Sequence, residues 1–335
     1  MEHQSSLGIE AFKASDDKLV LVKPPIELDG VKEGDTLRRF VDLPKLLDLL
    51  ASKTLVLPRL RDMMAGDPFE CAARFGFNGW TDPKLKERAK ELENWAPVSA
   101  RNPFQPKIYV AGELRPDALY QSKFDSDLAR MDQAELRDAV WFLEKERIKQ
   151  RVVCSCWYGG ESDSDAMWKI YAAQVGVSIV TTPARLRASV SLSAQETEAP
   201  NVKLTLASVQ YDDSVQCGDR KPWLIKRKAF LHEREVRLFC EATHFFGRRL
   251  SLQVDLSKLI KEIVITPFAK EWQAKCIETA AKVLLTQAGA PEIPIKRSEH
   301  MKEPESAWPP DRYFAQVASG YFGKLSTTIF PSSKP

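Results

Sequence analysis

With 335 residues, 44% hydrophobic and 28% charged, the chain is long enough for one large domain or two ordinary ones, and too apolar to be a disordered chain. No uninterrupted apolar run approaches the ~20 residues a membrane-spanning helix needs, and 49 basic against 46 acidic side chains, a formal +3, exert no overall pull towards nucleic acid or anionic lipid. Six cysteines over such a length, behind an N-terminus with no basic-then-apolar signal pattern, predict a reducing cytoplasm with free thiols.

No internal repeat is visible, which excludes solenoids and propellers. Residues 1–35 read as a preamble with a short strand at 18–23 closed by Pro24 and Pro25. A β-α-β unit follows: a strand over 36–41, a helix opened by Leu43-Pro44 and rich in leucine, and a return strand over 53–58. Residues 72–150 read as a helical insertion, with Glu-, Lys- and Ala-rich stretches at 84–95 and 125–150 joined by a proline-punctuated link. Strand character returns at 151–157, 177–182, 204–211, 230–240 and 262–266, with a helix over 163–171. The last helix, 271–287, is predicted to bury Trp272, Cys276, Ala280, Val283 and Leu284. Residues 291–335 hold seven prolines and read as a C-terminal extension. The fold class predicted is α+β: a mixed or antiparallel central sheet with flanking helices, within one domain over residues 36–290.

Three clusters carry chemistry. One is Gly66-Asp67-Pro68-Phe69-Glu70; the second joins Cys156-Trp157 to Met167-Trp168-Lys169-Ile170-Tyr171; the third is Lys226-Arg227-Lys228 followed by Phe230-Leu-His-Glu-Arg-Glu-Val-Arg237. A strand over 230–239 sends Glu233, Glu235 and Arg237 to one face. Two carboxylates so placed raise each other's pKa and can hold a sugar hydroxyl or stabilise a developing cation; the alternative is an ion-pair network, Glu233 with Arg237 or Glu235 with Arg227. Cys154 and Cys156 share a strand face, but with four His residues and no Cys-x-x-Cys pair no metal site is expected. Trp168 and Tyr171, three apart on a helix, share a face that reads as core, with the Tyr171 hydroxyl free to reach a cleft. Basic residues at 220–221, 226–228 and 248–249, interleaved with Trp223 and Phe230, suit phosphates or stacked bases, or else a solvated face balancing Asp212, Asp213 and Asp219. There is no phosphate-cradling glycine loop and no nucleic-acid-binding signature.

In this order, and with a closing strand before the final helix, the three clusters resemble the bacterial domain of unknown function 2971 family over residues 37–75 and 151–287. That family has no settled activity to transfer, and the chain departs from its pattern in having Gly66 where an Asn usually precedes Asp-Pro-Phe-Glu, and in its longer insertion and tail. More distantly, the β-α-β opening resembles the ADP-ribosyltransferase fold. That resemblance implies NAD surrounded by Arg39 from the first strand, by Ser155 or Tyr171 from the middle of the chain, and by Glu235 from the late strand; the candidate site then has Arg39, Ser155, Trp168 and Arg237 as cofactor contacts and Glu235, Glu233 and Tyr171 as the catalytic group. Glu235 would polarise the ribose as nicotinamide leaves. The expectation is thus a cytoplasmic domain acting on a nucleotide or other phosphate-bearing ligand by ADP-ribosyl transfer, without metal. The alternative is a non-catalytic ligand-sensing or interaction module, for example in a bacterial defence or toxin system.

Overall fold

The computed structural model describes residues 21–63, 71, 74–75, 80–95, 107–110, 113–116, 125–173, 175–193, 202–213, 216–218, 220–241 and 249–301. By internal contacts the chain divides into a unit of residues 1–298 and a second of residues 299–335. The elements below belong to the first.

Strands β1 (Leu21–Val22), β2 (Ile26–Asp29) and β3 (Leu37–Asp42) lead into helix α1 (Leu43–Ser52) and strand β4 (Thr54–Pro58), so the anticipated β-α-β unit is present. Its helix starts where the sequence says it should: the Asp42 carboxylate accepts from the Lys45 N–H, and Pro44 occupies a position whose N–H has no helical partner. After α2 (Leu60–Met63) and β5 (Arg74–Phe75), the insertion contains α3 (Asp82–Trp95), a hairpin of β6 (Lys107–Val110) with β7 (Glu113–Pro116), and α4 (Gln133–Arg151). Helices α3 and α4 form their own small core from Leu85, Ala89, Leu92, Leu136, Val140 and Leu143, and Arg88 grips Glu144 across it. The hairpin is an addition to the purely helical insertion expected.

The chain continues with β8 (Val152–Gly159), α5 (Asp165–Met167) and a π-helical turn Trp168–Ala172, then β9 (Gly176–Thr181), α6 (Pro183–Ser189), β10 (Val190–Ser193), β11 (Leu204–Ser208), β12 (Gln210–Tyr211), β13 (Gln216–Gly218) and β14 (Ile225–Lys226). Last come β15 (Glu235–Glu241), β16 (Arg249–Val254), α7 (Leu256–Leu259), β17 (Glu262–Ile265), α8 (Glu271–Ala288) and β18 (Ile295–Arg297).

Eight strands form the main sheet in the order β18-β17-β9-β3-β8-β15-β11-β2. Its two outer pairs, β17 with β18 and β2 with β11, are parallel, and the rest are antiparallel. The sheet is therefore mixed and the fold α+β, as anticipated. A second, antiparallel sheet, β1-β10-β16-β4, packs against one face. Alternation along each strand builds this packing: Leu37 and Val41, Val153 and Trp157, Val236 and Leu238 face Leu55, Leu57, Leu250 and Leu252 in the largest core. The opposite face carries two smaller apolar clusters, one around Trp168, Phe40 and Tyr158 and one around Trp223, Phe239 and Cys154. Between them lies the polar group described next.

Two elements differ from expectation. The segment read as one strand over 230–240 begins as a 3-10 helix, Lys228–Glu233, and becomes β15 only after Arg234, whose φ of 39° breaks the extended run. Helix α8 buries Ala274, Ile277, Ala281 and Leu285, and leaves Trp272 64% and Val283 51% exposed. Of the predicted stripe, Leu284 packs partly buried against the core, whereas Trp272 and Val283 fall outside it.

Candidate functional site

Glu235 opens β15 and is 5% exposed. Both its oxygens are taken: Arg237 donates Nε to Oε1 at 2.8 Å and Nη2 to Oε2 at 3.0 Å, and the Lys226 ammonium lies 2.8 Å from Oε2. Burial works to raise the Glu235 pKa, but Arg237 and Lys226, with a hydrogen bond from Cys156, hold it far below the ordinary carboxylate range. Arg237 spends its remaining arm on the Trp223 carbonyl, at 2.6 Å. The same Lys226 pairs with Glu233, whose Oε1 accepts from the Tyr171 hydroxyl at 2.9 Å. Tyr211 completes the group by accepting the Glu235 N–H at 2.7 Å.

Glu233, Glu235, Arg237 and Tyr171 are thus brought together, as the sequence reading required, although Glu233 arrives from the 3-10 turn and not from the strand. Their partnership is that of the alternative reading, an ion-pair network, but the pairs differ from those anticipated: Glu235 with Arg237, and Lys226 shared by both acids. Lys226 had been grouped with a phosphate-binding patch. That patch is spent elsewhere too: Arg220 lies 2.9 Å from Asp212, and Lys221 and Arg227 sit over the rings of Phe239 and Phe230.

Trp168 is fully buried, its ring 4.8 Å from that of Phe40 in an edge-to-face contact, so it packs the core and contacts none of these acids. Tyr171 is 43% exposed; the wider winding of the π turn separates two side chains that a regular α-helix would stack. The Asp165 to Lys169 pair across this turn forms at 2.7 Å.

Arg39 and Ser155 lie elsewhere. Alternation sets Arg39 with Leu37 and Val41, and Ser155 with Val153 and Trp157, on the face opposite Glu235. A single pocket holding Arg39, Tyr171 and Glu235 is therefore not formed. What forms instead is a wedge. Strands β3 and β8 pair only at Leu37 with Gly159 and Arg38 with Tyr158, whereas β3 pairs with β9 over Leu37–Asp42 and β8 with β15 from Val152 to Tyr158. At the point of separation the half-buried Arg39 guanidinium lies 5.8 Å above the Trp157 ring and makes no ion pair with any described residue. Burial lowers its pKa, with only the neighbouring Cys156 acting in the other direction. Trp157 Nε1 and Ser155 Oγ, on residues 2% exposed, have no hydrogen-bond partner among the described residues. Among the described residues, the Arg39 guanidinium therefore has no counter-charge, and the two buried donors on the same face of β8 have no acceptor. Trp157 is the residue the sequence reading passed over in this role; its place two residues after Ser155 was the available signal.

The cluster Gly66-Asp67-Pro68-Phe69-Glu70 lies outside the described residues. Among the described residues no group of three or more His, Cys, Asp or Glu side chains is disposed to hold a metal ion, and no helix is long and apolar enough to cross a membrane. Comparison of the chain with protein-family models, with curated proteins and with solved structures gives no match.

Proposed function

We propose that the protein binds a phosphate-bearing ligand, a nucleotide being the favoured class, in the wedge between β3 and β8, and that it acts as a binding or sensing module. The observation that carries this reading is the Arg39 guanidinium, desolvated over Trp157 without a counter-charge and flanked by the orphan donors of Trp157 and Ser155. A desolvated cation and buried unpaired donors are each costly, and an oxyanion satisfies all three at once. The Trp157 ring adds an apolar surface under the ligand.

Binding rather than ADP-ribosyl transfer is favoured because Glu235 stands on the other face of the sheet and its carboxylate is engaged by Arg237 and Lys226. Calorimetric titration with ATP, NAD and inorganic phosphate, run beside a nicotinamide-release assay, tests the reading. Binding that Arg39→Gln weakens, with no nicotinamide released, supports it; nicotinamide release by the parent that Glu235→Gln abolishes replaces it with the transferase.

A further inference from the structure

A separate cavity of about 550 Å3 opens beside the start of β15, within the size range of small-molecule sites. Its walls come from four stretches distant in sequence: Asp35 to Leu37 ahead of β3, residues 159–162 after β8, Ser208 to Tyr211 at the end of β11, and Leu231 to Val236. Backbone bonds set their spacing. Gly159 N–H donates to the Arg234 carbonyl at 2.8 Å and Gly160 N–H to that of Thr36 at 3.1 Å. Arg38 reaches from β3 to fix the wall of residues 159–162: its Nη2 donates to the Glu161 carbonyl at 2.6 Å, and its Nη1 lies 3.1 Å from Asp163. The cavity is shaped before any ligand enters.

Its charges are opposed and only partly used. Arg234, exposed and held at φ 39°, has no hydrogen bond or ion pair to its guanidinium among the described residues. On the other walls Glu161 Oε2 accepts from the Thr36 hydroxyl at 2.9 Å, and Asp35 Oδ2 accepts from the Lys32 N–H at 2.7 Å. Among the described residues, each of these carboxylates retains an oxygen without a partner. The Glu235 carboxylate is neutralised by its own cations and adds no free charge. The same lining includes an apolar surface, Val31, Val209 and Leu231, the last 58% exposed.

We propose that this cavity binds a small zwitterion, an amino acid or short peptide, with its carboxylate on Arg234, its ammonium on Asp35 and Glu161, and an apolar body against Leu231. Planar guanidinium and carboxylate match as a bidentate pair, and paired carboxylates take up an ammonium's donors. Neither Arg39 nor Trp157 is among the residues that line the cavity.

The test is calorimetric titration of the full chain with alanyl-leucine, its N-acetylated form and its C-terminal amide. The expected result is binding of the free dipeptide, weakened about tenfold or more by either block and by Arg234→Gln or Glu161→Gln, in line with loss of a charge-assisted hydrogen bond, and unchanged in Arg39→Gln. Arg234→Gly serves as a second variant, since glycine accepts the left-handed backbone and keeps the fold while removing the guanidinium. Equal affinity for the blocked peptides, no binding of the free dipeptide, or displacement of the dipeptide by AMP overturns the proposal.

Discussion

Arg237 clasps Glu235 through both carboxylate oxygens, at 2.8 and 3.0 Å, from two residues along the same face of β15. With Lys226 closing the third side, the acid serves as counter-ion to two buried cations, Arg237 being 1% and Glu235 5% exposed. Removing one member of such a group strands the others without compensation. Glu235→Gln is therefore expected to cost about 3 kcal/mol or more, read from urea unfolding, and a loss below ~1 kcal/mol, the worth of an exposed pair, would contradict the network.

The same group sets a pH dependence. The folded Glu235 pKa is depressed, so its contribution to stability is fully present above the unfolded value, ~4.3, and is lost as pH falls from there towards the folded pKa. Acid unfolding of the parent should steepen below that point. The Glu235→Gln variant, already destabilised, should show a shallower dependence over the same range, and parallel curves would remove Glu235 from the cause.

Tyr211 titrates in the opposite sense. Burial, then the charges of Glu235 and Glu233, push its pKa up to about 12, although its bond from the Glu235 N–H favours the ionised form. A raised pKa on a phenol means stability complete below the unfolded value, ~10, and declining as pH rises from there through about 12. Phenolate absorbance should therefore show one tyrosine ionising near 12 that is missing from Tyr211→Phe. Ionisation of all tyrosines near the ordinary value while the protein remains folded would contradict this placement.

Gly176 begins β9 against the end of the π turn. A Cβ built there meets the Ala172 carbonyl oxygen at 2.3 Å and the Ala172 Cα at 2.5 Å, both backbone atoms that cannot swing aside. Gly176→Ala should lower stability by about 3 kcal/mol, measured by thermal or urea unfolding. Gly34→Ala, where a Cβ meets nothing within 4 Å, should be close to neutral, and equal effects of the two would refute the close approach.

Thiol chemistry gives a further check. Cys154 and Cys240 are buried and Cys156 half-buried, and hydrogen bonding to Cys154 with burial and the charge of Glu235 drives the Cys156 pKa well above normal. Cys276 is exposed on α8. Alkylation at neutral pH, mapped by peptide mass, should modify Cys276 and spare Cys154, Cys156 and Cys240 until the protein unfolds. Rapid modification of Cys156 in the folded protein would contradict its environment.

Much of the architecture was legible because local signals agreed. A short strand-forming run from Leu37 meets Asp42, which caps, Pro44 starts the helix, and β3-α1-β4 follows. Strand β16 was missed although Leu250, Leu252 and Val254 alternate cleanly with polar residues; the signal was present and unread. The buried stripe of α8 was out of phase because alanines, weak in any hydropathy reading, make its contact while Trp272 faces outwards. The site was harder. Alternation within one strand shows which side chains share a face, and so grouped Glu235 with Arg237. It gives no relation between faces of strands that meet only after folding, and so joined Arg39 to Glu235 across a sheet that separates them. Arg234 in a left-handed conformation, which starts β15 late and exposes its side chain to the cavity, had no glycine or asparagine to announce it.

The most direct test of the account is titration of the protein with ATP by calorimetry, in the parent, in Arg39→Gln and in Arg234→Gln. The account predicts that Arg39→Gln weakens binding at least tenfold, the order expected for a charge-assisted contact, and that Arg234→Gln leaves it unchanged. Undiminished binding by Arg39→Gln, or no binding by the parent, would contradict it.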